Sequence, residues 1–186
     1  EKPLTIHREH DSFKQLPYLC CWFTFGQARI RRIKFNDMDI RIKSCIEGAK
    51  EAEGLTVIID VFRASNTILA CLARGAEYVI PVGSLNRAYQ LKNQQPDHLL
   101  AGERNSQAPE GFDFGNSPSY ASMLELTGKK VIVTTSAGTQ GIVNATGASE
   151  ILVGSFANAR AIVDYITQVS PDIVTLAAMG FASSEK

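Results

Sequence analysis

Long apolar runs are missing from this chain of 186 residues. Nothing in it approaches the roughly 20 consecutive apolar residues that a helix needs to cross a bilayer. The longest such stretch near the start, Leu16 to Phe25, is broken by Pro17 and Thr24 and lacks a small-residue cleavage pattern, so neither a membrane span nor a secretory signal is read here. A surplus of one charge is missing too: 19 lysines and arginines balance 19 aspartates and glutamates. A general nucleic-acid binder neutralises phosphates with surplus basic residues, and that class is set aside. Cysteine is sparse. Cys20, Cys21, Cys45 and Cys71 form no C-x-x-C pair and no pattern with a histidine, which points to reduced thiols in a cytoplasmic protein. His7 and His10 have a spacing that suits a metal on a helix, but they stand in a weakly patterned stretch. The glycine signatures of nucleotide binding are absent as well: G-x-G-x-x-G occurs nowhere, and the P-loop lysine is missing.

What is present is an alternation of strand and helix patterns, in a length that suits one domain with a sizeable core. Residues 1–37 stand apart. They mix Arg29, Arg31, Arg32 and Lys34 with Trp22, Phe23 and Phe25 without sustained periodicity, and are read as an extension of unclear order, native or not. A basic-aromatic docking arm is the lesser alternative. From Met38 the alternation of Ile40 and Ile42 with Arg41 and Lys43 predicts a half-buried strand near an edge. Residues 55–60 read as a buried central strand, followed by helical spacing through Ile68, Leu69 and Leu72 up to Gly75. Strands are predicted over 78–82, 99–101, 130–134, 151–154 and 172–178. Helices are predicted from the Ser84 cap to Leu91 and over 119–126, 139–145 and 158–169. The fold class expected is α/β, a three-layer α/β/α sandwich around a mainly parallel, mixed sheet. The domain is expected over 38–186 and truncated at its C-terminus, because a doubly wound sheet usually continues past such a last strand.

Polar and glycine-rich residues recur directly after the short apolar strands. Val57-Ile58-Ile59 runs into Asp60 and Arg63, and Leu99-Leu100-Ala101 into Gly102-Glu103-Arg104. Val131-Ile132-Val133 runs into Thr134-Thr135-Ser136-Ala137-Gly138-Thr139, and Ile151-Leu152-Val153 into Gly154-Ser155 and Asn158. In an open α/β sheet the ligand sits beyond the carboxyl ends of the strands, so these groups are expected to share one crevice. The 134–139 turn leads small and hydroxylated residues into a helix N-terminus, which suits an anion. The plainer alternative is a tight turn with a helix cap. A strand-terminal aspartate such as Asp60 can ligate Mg²⁺ or attack phosphorus, or simply cap the next helix. Arg63 and Arg104 offer planar forks to phosphate or sulfonate, although Glu103-Arg104 also suits a structural ion pair. The stretch Glu110 to Pro118, with Gly111, Asp113, Gly115 and Asn116, specifies an unusual backbone path rather than a solvated linker.

At these residues the chain resembles the 2-phosphosulfolactate phosphatase family. Five blocks in order carry the likeness: Ile59 to Ser65, Ala101 to Arg104, Glu110 to Pro118, Thr134 to Thr139, and Gly154 to Ala159. The resemblance covers about residues 39–180. It departs from the family at Ser136-Ala137, where asparagine-glycine is usual, and at Asn105-Ser106-Gln107, where a glycine is common. It implies an α/β/α fold and Mg²⁺-dependent removal of phosphate from (2R)-O-phospho-3-sulfolactate, on the route to coenzyme M. On that reading Asp60 and Glu103 hold Mg²⁺, while Arg63 and the turn of Thr134, Thr135, Ser136, Gly138 and Thr139 hold the phosphoryl oxygens. Arg104 neutralises a second anionic group, Asp113 is the acid-base candidate and Asn116 positions water or substrate. The alternative is a non-catalytic module that retains a small phosphorylated metabolite. The partner expected is a small anionic substrate, with no nucleic acid and no membrane; a homo-oligomer is allowed.

Overall fold

The computed structural model describes residues 31–35 and 37–180, with side chains from residue 37 onward. In chain order the elements are β1 (Arg31–Phe35), β2 (Met38–Ser44), α1 (Cys45–Lys50), β3 (Gly54–Ile59), α2 (Ala64–Ala73), β4 (Tyr78–Pro81), α3 (Leu85–Gln94) and β5 (Leu99–Gly102). They continue with β6 (Phe114–Gly115), α4 (Pro118–Ala121), β7 (Lys130–Thr134), α5 (Gly138–Asn144), β8 (Ala148–Gly154), α6 (Ala159–Val169) and β9 (Ile173–Ala178). The α/β class read from the sequence is what the chain adopts, and every strand pairing but the antiparallel β1–β2 is parallel.

The strands divide between two hydrogen-bonded sheets. One has the order β1-β2-β9-β3-β8 and the other β4-β7-β5-β6. Periodicity cannot reveal this division, because the central strands of both sheets, such as β3 and β7, are apolar runs alike. The largest core cluster draws Ile58, Val153 and Ala177 from the first sheet and Val79, Val131 and Val133 from the second, together with Ile68 and Cys71 of α2 and Ile142 of α5. The far face of the second sheet packs Leu100 and Ile132 against Ala88 of α3. Val131 and Val133 therefore face one side of β7 and Ile132 the other, the two-residue period of a strand. Each fully buried side chain of this size contributes about 1.5–3 kcal/mol. On the outer face of the first sheet Gly154 is wedged under Val57, Ile59 and Ile162 of α6.

Three elements differ from expectation. All of β1 falls within the stretch read as an extension; residues 1–30 lie outside the described residues. The helix expected over 119–126 stops at Ala121. Amides at and just past the end of that stretch find partners in the connection after α2, Leu126 N donating to Arg74 O at 3.3 Å and Gly128 N to Gly75 O at 3.1 Å. The six-residue α1 is too short to leave a periodic signal. The Ser84 cap is as read, its hydroxyl accepting from Arg87 N at 3.2 Å.

Candidate active site

Parallel pairing brings the carboxyl ends of the strands within each sheet to one edge, and the N-termini of α2 and α5 follow those ends. Asp60 comes directly after β3 and is 6% exposed. Its amide donates to Gly154 O (3.3 Å) and Ser65 Oγ (3.2 Å). Its carboxylate accepts from the backbone amides of Ala64 and Gly138, the first residues of α2 and α5. These are donors that a helix N-terminus leaves without an internal partner. The approach is so close that a Cβ on Gly138 would fall 2.5 Å from Asp60 Oδ2 and 2.6 Å from Ala64 Cβ, so only glycine fits. Burial pushes the Asp60 carboxyl above the ordinary aspartate range. The two amide bonds oppose that, the nearby Glu103 carboxylate adds to it and Arg63 opposes it.

Glu103 is aimed by the residue before it. Gly102 has φ +135, and a Cβ there would collide with the Thr134 carbonyl. Glu103 N donates to that carbonyl at 3.0 Å. The carboxylate then accepts from Ser136 N (2.7 Å) at Oε1, and from Ser106 N (2.9 Å) and Ser136 Oγ (3.2 Å) at Oε2.

The 134–139 turn is a nest, but the anions in it are the protein's own. Ser136 N goes to Glu103 and Gly138 N to Asp60. Thr135 N donates to Thr139 Oγ1 (2.8 Å), and Thr139 N to Thr135 Oγ1 (3.1 Å). This corrects the expectation that Thr134, Thr135 and Thr139 hold phosphate. All three are buried, Thr134 Oγ1 accepts from Arg104, and the other two hydroxyls close the turn on itself. Two strand-end carboxylates reach these amides through covalent geometry, so no free anion has to be recruited to satisfy them.

The remaining candidates separate. Arg63 is exposed at the head of α2, beside Phe62, which is 89% exposed, and the Phe62–Arg63 peptide is cis. Arg104 turns inward to Glu103 O, Gly83 O and Thr134 Oγ1. Asn116, buried at the end of β6, accepts from Thr67 Oγ1 of α2 at 2.7 Å. Asp113 is not brought to the group. Register pairs Phe114 with Ala101, so Asp113 precedes the carboxyl ends. Its Oδ2 accepts from Leu100 N at 2.7 Å and lies 3.8 Å from Lys92 Nζ. This placement sets it apart from Asp60 and Glu103. Ser155 and Asn158 form a local turn, Ser155 N donating to Asn158 Oδ1 at 2.9 Å. The sequence reading missed Gly83, Ser106 and Gln140, whose parts depend on backbone atoms that sequence does not display.

No group of three or more metal-ligating side chains of His, Cys, Asp or Glu occurs among the described residues. Asp60 and Glu103 remain as a pair of neighbouring carboxylates. No lysine or arginine among the described residues forms an ion pair with either. Such a pair, with oxygen lone pairs left over, suits a hard cation that takes one or two protein carboxylates and completes its shell with water. A concavity of about 450 Å³ lies elsewhere, between Arg41, Lys43, Glu51 and Glu53 near the start of β3. No helix among the described residues is long and apolar enough to cross a membrane.

A family model described as 2-phosphosulpholactate phosphatase matches residues 41–185. Three relatives named "Probable 2-phosphosulfolactate phosphatase" are similar to the chain. One, from Thermotoga petrophila, is 43% identical over 110 residues, 59% of this chain and 47% of the relative. One from Carboxydothermus hydrogenoformans is 39% identical over 131 residues, 70% and 54%. One from Caldanaerobacter subterraneus subsp. tengcongensis is 38% identical over 145 residues, 77% and 56%. The chain spans about half the length of the curated relatives it matches.

Proposed function

Because the chain belongs to the 2-phosphosulpholactate phosphatase family, we propose that it takes part in Mg²⁺-dependent hydrolysis of a small phosphomonoester in the cytoplasm, namely (2R)-O-phospho-3-sulfolactate to (2R)-3-sulfolactate and phosphate. The observation that carries this reading is the convergence of Asp60 and Glu103 on the amides of one turn. Asp60 and Glu103 would hold Mg²⁺, which would polarise the phosphoryl group and offset its charge. The amides of Ala64, Gly138, Ser136 and Ser106 keep both carboxylates oriented before substrate arrives, so little reorganisation is required. Arg63, exposed at the rim, presents its guanidinium fork to the phosphoryl oxygens. The alternative role of Asp60 as nucleophile is separated by trapping a phospho-aspartate.

A binding-only module would need the nest for its ligand, and the nest amides on Glu103 and Asp60 are already engaged. Phosphate release from a panel of small phosphomonoesters, measured with Mg²⁺ and then with chelator, tests the proposal. Release that depends on Mg²⁺ and disappears in Asp60→Asn supports it. Binding of phosphosulfolactate without release in Mg²⁺ rejects it.

A further inference from the structure

Arg104 is the residue whose surroundings depart furthest from a substrate-facing role. Its Nη1 donates to its neighbour's carbonyl, Glu103 O, at 2.7 Å. Its Nη2 donates twice, to Thr134 Oγ1 at 2.7 Å and to Gly83 O at 3.2 Å. Both hydrogens of Nη2 are therefore taken. A guanidinium grips an anion bidentately either end-on, through Nη1 and Nη2, or side-on, through Nε and Nη2. Both forks include Nη2, so neither is open to a sulfonate or phosphate. The three acceptors stand at the carboxyl ends of β4, β5 and β7, and this one side chain joins them.

A second side chain completes the junction. Gln140, in the first turn of α5, donates through Nε2 to the same Gly83 carbonyl at 2.7 Å and to Thr135 O at 3.2 Å. Backbone bonds tie Arg104 to the turn that supplies the Ser106 amide, Arg104 N donating to Gln107 O at 2.9 Å and Gln107 N to Arg104 O at 3.1 Å. The Glu103 carboxylate is thus held by amides on two segments, 106 and 136, whose separation the Arg104–Gly83–Gln140 junction sets.

We propose that Arg104 is a positioning residue, clamped with Gln140 on the Gly83 carbonyl, that holds Glu103 against the Ser136 and Ser106 amides without touching substrate. This deepens the phosphohydrolase reading and rests on it for its kinetic consequence, whereas its structural consequence stands alone.

Arg104→Lys keeps the charge but cannot reach three separated acceptors, Arg104→Gln removes the charge, and Gln140→Leu breaks the clamp from a residue with no charge to offer a ligand. All three lower kcat by about 10- to 100-fold while KM stays within about threefold, as displaced machinery does. Amide hydrogen exchange read residue by residue gives the independent measure. Ser136 and Ser106 amides exchange about tenfold faster or more in each variant as their local protection falls, whereas Ala64 and Gly138, bound to Asp60, keep wild-type rates. The proposal is overturned if Arg104→Gln raises KM, Arg104→Lys restores it, and Gln140→Leu leaves kcat and Ser136 exchange unchanged. Where kinetics and exchange disagree, exchange decides. If the wild type releases no phosphate, the functional reading falls and the exchange result alone rules on the clamp.

Discussion

Ser136 and Glu103, 33 positions apart in the chain, are joined by a 2.7 Å hydrogen bond from the Ser136 amide to Glu103 Oε1. The Ser136 hydroxyl adds a 3.2 Å bond to Oε2. A turn composed like an anion site is therefore completed from within. Its amides hold two acidic side chains as one fixed pair.

Gly138→Ala should separate stability from chemistry. The added methyl meets Asp60 Oδ2 and Ala64 Cβ at 2.5 and 2.6 Å, so the carboxylate must move. Overpacking of this kind costs about 1–3 kcal/mol. Thermal unfolding should register that modest loss, while phosphate release falls by about 100-fold or more because the Asp60 carboxylate leaves its amides.

Glu103→Gln places an amide NH₂ where Ser136 N and Ser106 N both need acceptors. One donor is left facing another, a cost of about 1–3 kcal/mol. Calorimetric titration with Mg²⁺ should show binding weakened beyond detection in this variant and intact in the wild type; equal affinity would remove Glu103 from the cation site.

In the metal-free protein burial, reinforced by Glu103, raises the Asp60 pKa. The same shift has a stability sign. The folded protein holds this proton more tightly than the unfolded chain, so metal-free protein loses stability as pH climbs from the ordinary aspartate range through the raised folded value. Unfolding in chelator from about pH 4 to about pH 7 should show this slope, and its absence in Asp60→Ala would assign it.

His98 should act with the opposite slope. It is 2% exposed, its Nδ1 has no hydrogen-bond partner among the described residues, and Nε2 lies 3.1 Å from the Tyr78 hydroxyl. Burial, with Lys130 and Lys92, lowers its pKa against the weaker pull of Asp97 and Glu77. The unfolded chain takes up this proton first on acidification, so stability falls as pH drops below about 6.5. His98→Gln should flatten that fall in thermal unfolding curves.

Asp113→Asn should leave phosphate release within about twofold of wild type, since the residue lies on the β5 edge away from the carboxylate pair. Its 3.8 Å partner Lys92 is partly exposed, and losing that contact costs at most about 1 kcal/mol. A large loss of kcat would return Asp113 to the chemistry.

Most of the elements were legible because short apolar strands and capped helices leave periodic local signals. Ile58 and Ile132 announce buried strands, and Ser84 announces the start of α3. The convergence on one rim was legible too, since Asp60, Glu103 and the 134–139 turn each follow a strand. The division into two sheets was not, because an apolar strand reads the same in either.

The amino-acid order by itself determined which residues reach the rim: parallel pairing carries whatever follows each strand to its carboxyl end. Only the tertiary structure decided what they do there. Gly138 between Asp60 and Ala64, and Gly102 against the Thr134 carbonyl, bring backbones so close that amides meet carboxylates instead of solvent or substrate. Packing also turned Arg104 inward, and the β5–β6 register placed Asp113 before the carboxyl ends. A hydrogen bond operates over about 3 Å, and no pattern of residue types specifies position that finely until the chain has packed.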